Sequence, residues 1–292
     1  MNTKLQHLLV VLVGYIGCIY SMILIWNLLF DFSIVYKVLI SHIEATIFIY
    51  ILSVIFKNSS WYDAFWSVIP VVLTLLCWTD VSAAGNIQRA FLMNGCLLFW
   101  AIRLTYNWMR SWDGFSHEDW RYIMMKGKTT NKFQYFLVDF GSIHLIPTIC
   151  VYLALLPMIY ALAYTGSELN FLDGVATFLA ILAVIIQIIS DQQMYNFRLN
   201  LTEPKTMKSG LWYYSRHPNY FGEILFWFSL YVFALASNLS FAWLLIGSII
   251  MYALIAIASV SMMDKRSLER RPDFKEYMDS TPSILINIFK KG

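Results

Sequence analysis

The sequence predicts an all-α, polytopic membrane helix bundle of about eight spans, with seven as the alternative. Three observations carry this. The chain of 292 residues is 59% hydrophobic and only 13% charged, whereas a soluble domain carries roughly 25% charge. Its apolar residues are gathered into long runs, each close to the roughly 20 residues that a spanning helix needs. Its cations sit almost entirely on alternate connections between those runs.

The runs lie at about 7–30, 38–56, 61–79, 90–108, 144–164, 171–193, 221–237 and 241–262. The first is too long for a signal-peptide core and long enough to span. With a cytoplasmic N-terminus and eight spans, 18 of the 21 Lys and Arg fall in cytoplasmic segments. Lys37 and Arg89 fall on the opposite side, and Arg103 lies inside a run. This asymmetry follows the positive-inside rule and puts both termini in the cytoplasm. It also gathers three polar segments, 109–143, 194–220 and 264–292, on one face. The membrane is a bacterial inner membrane or the endoplasmic reticulum, and the active site faces the cytoplasm.

Shorter stretches have their own readings. Lys126–Phe136 mixes lysines with aromatics and is expected to lie along the membrane surface. Ser283–Phe289 is an apolar tail too short to cross. Cys18, Cys77, Cys96 and Cys150 all fall in apolar runs with no disulfide or zinc spacing. His42 and His144 stand alone and no HExxH is present, so no metal is expected. No GxGxxG follows a strand pattern, which excludes a Rossmann cofactor site. No nucleic-acid partner is expected.

Charges inside spans are costly and mark function. Glu44, Asp63, Arg103, Asp191 and Glu223 are of this kind, and Arg103 is expected to pair with Asp63 or Glu44. Asp191 and Arg198 are seven apart and share a face if the sixth helix continues past the membrane. Arg198, Lys205, Lys208 and Arg216 then form a cationic cluster, with Arg110 on the same side. The chain is organised around Ser209–Glu223, SGLWYYSRHPNYFGE. Pro218 predicts a helix start at that point, which would point N–H donors at an anion. Arg216, His217, Asn219 and Glu223 supply polar hooks, and Tyr214 and Tyr220 supply stacking faces.

These residues resemble the steroid 5α-reductase family, in its bacterial-type membrane branch. The resemblance rests on GLWYYSRHPNYFGE together with D-x-x-W-S at Asp63–Ser67, W-x-x-R-L at Trp100–Leu104 and E-D-x-R-Y at Glu118–Tyr122. The ending R-P-x-F-x-x-Y at Arg271–Tyr277, with Thr281, completes it. It covers about residues 60–285 of a single membrane domain, 1–292. The spans in 1–59 lie outside it, and 144–285 forms the cofactor-binding part. The resemblance implies a membrane oxidoreductase that reduces the C=C bond of an enone-type lipid, steroid-like or isoprenoid, with NADPH. The cofactor residues it implies are Gln187, Asp191, Arg198, Asn219 and Glu223, with Lys205, Lys208, Arg266 and Tyr277 more loosely. In the mammalian enzymes a Glu and a Tyr hold the ketone. Asp63 stands for the Glu, with Glu44 a further carboxylate candidate. Trp100 occupies the Tyr position, so Tyr106 or Tyr62 is the substitute phenol.

Two other classes remain open at this point. R-H-P-x-Y also occurs in S-adenosylmethionine-dependent isoprenylcysteine carboxyl and phospholipid methyltransferases. Their usual Glu-Glu pair is missing from Met262–Glu269. The third class is a non-catalytic membrane lipid-binding protein.

Overall fold

The structure is a computed structural model that describes residues 3–81 and 85–287. Lys290, Lys291 and the end of the apolar tail lie outside the described residues. The elements are helices throughout: α1 Thr3–Leu28, α2 Ile34–Ile55, α3 Ser59–Val81, α4 Ile87–Ser111, α5 Trp120–Lys126, α6 Lys132–Ala163, α7 Phe171–Leu199, α8 Leu211–Tyr214, α9 Pro218–Ser237, α10 Leu239–Arg270 and α11 Phe274–Ser280. No strand occurs among the described residues. The chain is an all-α, multi-pass membrane bundle.

Among the described residues, seven helices are long and apolar enough to cross a membrane: α1, α2, α3, α6, α7, α9 and α10. The helix missing from this set is α4, which spans 25 residues and so has the length. Its polar side chains turn inward: Arg89, Asn94 and Arg103 are buried, whereas Phe91, Leu98 and Ile102 are exposed. A helix whose polar groups find partners in the bundle can still show lipid an apolar face.

Local chemistry sets the helix ends. Asn170 opens α7 through a capping box with Asp173, which satisfies two orphan N–H groups at once. Pro218 stands at the first position of α9, as its fixed φ favours. Two expectations shift. Residues 132–136 are exposed and form the first turn of α6 rather than a separate segment, and that helix passes through a π-helical stretch, Leu137–Leu145. The last span also runs on to Arg270, with a second π-helical stretch at Leu254–Val260.

The closest helix pair is α7 with α9. Ala176, Ala180 and Ala183 on α7 are fully or almost fully buried. At Gly222 on α9 a Cβ would meet Gln187 Cγ at 2.6 Å and the Ala183 carbonyl oxygen at 2.8 Å. Small residues let the two backbones approach, as packing between membrane helices requires.

The two ends of the bundle differ. At one end Arg89, 1% exposed, acts as a staple. Its Nε and Nη2 donate to Asp173 at 2.7 and 2.9 Å, and its Nη1 donates to the Ser167 carbonyl at 2.9 Å. Nη2 also donates to the Glu168 carbonyl at 2.9 Å. Lys37 pairs with Asp80 at 2.5 Å. The polar segments 109–131, 200–217 and 264–287 meet at the other end, where the candidate site lies.

Candidate functional site

Two buried polar clusters lie close together at this basic end. The first is built from α4, α7 and α9. The Arg103 guanidinium pairs directly with Asp191 and lies 3.7 Å from Glu223. Glu223 in turn accepts from Trp100 Nε1 at 3.0 Å, Gln187 Nε2 at 3.0 Å and Trp227 Nε1 at 3.0 Å. Asn219 Nδ2 donates to Asp191 at 3.4 Å. All three charged residues are under 9% exposed. Helical periodicity produces this set. Asp191 is four residues from Gln187, and Trp227 and Asn219 are each four from Glu223, so each group shares a helix face.

The second cluster joins the start of α3 to α5. Asn58 Nδ2 donates to the Phe115 and His117 carbonyls at 2.9 and 3.0 Å. Glu118 accepts from the Ser59 N–H at 2.6 Å and from Lys126 at 2.5 Å. Within this frame the Tyr122 hydroxyl donates to Asp63 at 2.8 Å. Arg121 forks onto Asp119 at 2.9 and 2.8 Å. Burial pushes the Tyr122 phenol well above its usual range, and the neighbouring Asp63 charge adds to this. The phenol therefore keeps its proton. Burial works against ionisation of Asp119, but hydrogen bonds and charge from Arg121 prevail and hold it below its usual value. Tyr220 is within electrostatic reach of Arg121 and Asp119 on one side and of Asp191 and Glu223 on the other. It marks the ground between the clusters.

Several expected site residues have other work. Arg216 donates to Asp264 at 2.8 Å and to the Thr281 and Met278 carbonyls at 2.6 and 3.1 Å. The His217 Nε2 lies 2.9 Å from Asp264, and its ring stacks on Tyr220. The Tyr277 hydroxyl donates to the Trp212 and Ser215 carbonyls. These bonds tie the segment 212–217 to α10, α11 and the chain after it. Tyr214 packs edge-on against Tyr213, and its carbonyl accepts from the Asn287 N–H at 3.0 Å. Arg266 stacks 4.0 Å over Trp120.

The cations on the surface divide. Lys205 is exposed and pairs with Glu203 at 2.5 Å, and Lys208 lies 3.4 Å from Asp273. Lys208 also lines a cleft with Tyr213, Glu276, Tyr277 and Ser280. Arg110 donates to Gln192 at 2.7 Å and lies 4.5 Å over Tyr195. The Arg198 side chain is exposed near the end of α7 and makes no hydrogen bond or close ion pair among the described residues, while its carbonyl accepts from the Leu201 N–H at 3.3 Å. Of the expected cations it is the one left open to an anion.

The proton-donor candidates are corrected in part. Tyr106 is 60% exposed on the outer face of α4, beside Arg110. Glu44 leaves one buried carboxylate oxygen without a partner among the described residues. Neither shares a hydrogen bond or ion pair with Asp63. Tyr62 is buried and bonds Thr148 at 2.9 Å. The phenol on Asp63 is Tyr122, which belonged to a recognised element but had no assigned role. Arg103 pairs with Asp191 and Glu223 instead of Asp63 or Glu44, because α4 packs against α7 and α9 at that level. Trp100, read as a lost phenol, donates its indole N–H to Glu223.

The fold and site thus define a class: an all-α, multi-pass membrane protein with a buried ionic network at one end. Residues 49–281 match the family described as "protein of unknown function (DUF1295)", more than half of the chain, and the chain belongs to this family. It is 28% identical to an uncharacterised protein of the fission yeast Schizosaccharomyces pombe, over 76% of this chain and 71% of that protein. No solved structure matches it.

Proposed function

We propose that this protein is a membrane oxidoreductase of the steroid 5α-reductase type, reducing the C=C bond of an enone-type lipid with NADPH. The observation that carries the reading is the pair of buried polar clusters, one with a phenol on a carboxylate and one with an arginine between two carboxylates. The first holds the Tyr122–Asp63 pair and the second the Asp191–Arg103–Glu223 network. The residues fit the cofactor. Arg198 offers charge for its phosphates. Gln187 Oε1 and Arg103 Nε are buried without a partner, and Asn219 supplies an amide, which suits hydroxyl and carboxamide groups.

NADPH, when bound, supplies hydride to the carbon β to the ketone. The chain supplies the rest. The Tyr122 hydroxyl donates to Asp63 before substrate arrives; with Asp63 carrying a proton it would turn to donate to the oxygen on which negative charge develops, and such a donor in a dry site is often the largest catalytic contribution. Asp63 orients that hydroxyl. Trp100, Gln187 and Trp227 hold Glu223, and with it Arg103, in one arrangement before the cofactor arrives.

The test is cofactor binding to detergent-purified protein by calorimetry, with NADPH and S-adenosylmethionine side by side. NADPH binding that is lost in Arg198→Ala and in Asn219→Ala supports the reductase. Binding of S-adenosylmethionine alone replaces it with a methyltransferase of the isoprenylcysteine carboxyl or phospholipid type. Binding of neither by a folded protein leaves a lipid-binding protein without catalysis. With an accepted enone, Tyr122→Phe is expected to lower kcat by about 10²–10⁴-fold, the usual worth of a general acid, while NADPH affinity stays unchanged. Asp63→Asn should give a smaller loss. Unchanged turnover in Tyr122→Phe would remove the phenol from the mechanism.

A further inference from the structure

The outer wall of α9 carries a groove that the ionic clusters do not explain. Phe221, Ile224, Leu225 and Phe228 form one side, and Leu245, Ser248, Ile249 and Tyr252 of α10 form the other. Both sets follow the spacing i, i+3, i+4, i+7, so each is a straight stripe on its helix. The helices are antiparallel neighbours, so the stripes face each other over about 10 Å, from the 1.5 Å rise per residue. The groove offers about 260 Å³, and its lining is almost wholly carbon. Ser248 in this lining donates its hydroxyl proton to the Trp227 carbonyl at 3.3 Å.

The packing of α10 explains why this space exists. A Cβ at Gly247 would overlap the Leu153 carbonyl oxygen. This glycine therefore seats α10 hard against α6, and the edge of α10 that faces α9 is left standing off. The π-helical stretch Leu254–Val260 begins two residues beyond Tyr252, and such stretches re-aim the faces of a helix. The groove opens outward: Ile249 is 51% and Tyr252 50% exposed. Both helices are spans, so the surface around the groove already meets lipid chains.

The groove lies on the same helix as the site. In the first two turns of α9, Asn219 and Glu223 face the ionic network, while Phe221, Ile224 and Leu225 face the groove. Phe221, the first residue of the groove, directly follows Tyr220. We propose that this groove binds the hydrocarbon tail of a membrane lipid, with the lipid's polar group at the basic end beside Tyr220 and Asn219. That the lipid held here is the substrate rests on the reductase reading; tail binding itself does not.

The full chain is reconstituted without NADPH in phosphatidylcholine–phosphatidylglycerol vesicles containing a phosphatidylcholine with a mid-chain diazirine. After illumination, labelled residues are mapped by mass spectrometry. Label is expected to concentrate on Phe221, Ile224, Leu225, Ile249 and Tyr252, above the exposed positions Leu12, Val13 and Phe178. It should be lost from the groove in Ile249→Trp, whose half-exposed site tolerates the larger ring, and in Leu225→Trp, which fills the groove from the other wall. Unfolding midpoints like that of the wild type show that the variants are folded. Even labelling across α1, α7 and the groove means annular contact only and overturns the proposal, as does groove labelling that survives in both folded variants. Groove labelling together with absent NADPH binding keeps the tail site and removes the reductase.

Discussion

Arg89→Met is expected to cost the folded bundle about 3–5 kcal/mol, the usual penalty for breaking a buried ion pair from one side. Arg89 and Asp173 are 1% and 2% exposed at their side chains, so neither charge has water to fall back on. The guanidinium bonds both carboxylate oxygens and the Ser167 and Glu168 carbonyls. It thereby joins the start of α4 to the start of α7 and to the loop before it. Methionine keeps much of the volume but leaves Asp173 a buried charge with only the Asn170 N–H to answer it. The measurement is the unfolding midpoint in detergent, compared with wild type and with Arg89→Met/Asp173→Asn. The double variant should recover part of the loss, because both members of the pair are then neutral. A wild-type midpoint in the single variant would show that the staple carries no stability.

Arg103→Met is expected to produce a loss of similar size, about 3–5 kcal/mol, and to abolish NADPH binding as well. Here one cation stands between two carboxylates, Asp191 and Glu223, that are 7% and 5% exposed at their side chains. Glu223 keeps three N–H donors without Arg103, but Asp191 keeps only the long bond from Asn219. Arg103→Lys should recover little, since an ammonium cannot fork across two carboxylates as a guanidinium does. Adding Glu223→Gln to Arg103→Met should restore part of the stability but not the binding. This split separates a structural role from a cofactor role. Loss of stability with intact NADPH affinity would confine Arg103 to the fold.

Much of the site was legible as a set of suspects. Asp63, Arg103, Asp191 and Glu223 stood out because each is a charge inside an apolar run, and all four are in the two clusters. Asp191 and Arg198 shared a face by helical spacing once α7 was read as one long helix, and α7 runs unbroken over Phe171–Leu199; Gln187 came from the resemblance. The partners were not legible. Arg103 and Asp191 are 88 residues apart, and no periodicity connects α4 to α7. The central stretch was read as a ligand site throughout, yet its Arg216 and His217 hold Asp264 and the chain after α11. A residue rich in donors has the same sequence signature whether it grips a ligand or a backbone carbonyl.

The sequence by itself determined the helices, the apolar faces and the concentration of cations at one end. These follow from single-residue transfer free energies and from the 3.6-residue period, which act locally and add along the chain. Only the tertiary structure decided that Tyr122, from a seven-residue helix outside the long spans, is the phenol on Asp63. It also decided that Trp100 serves Glu223 and that Arg103 closes the ionic network. Such pairings depend on which helices become neighbours and at what level, and that is set by close packing at sites such as Gly222 and Gly247. The energy of a buried charge is legible one residue at a time, whereas its partner is a property of two surfaces that meet only in the folded bundle.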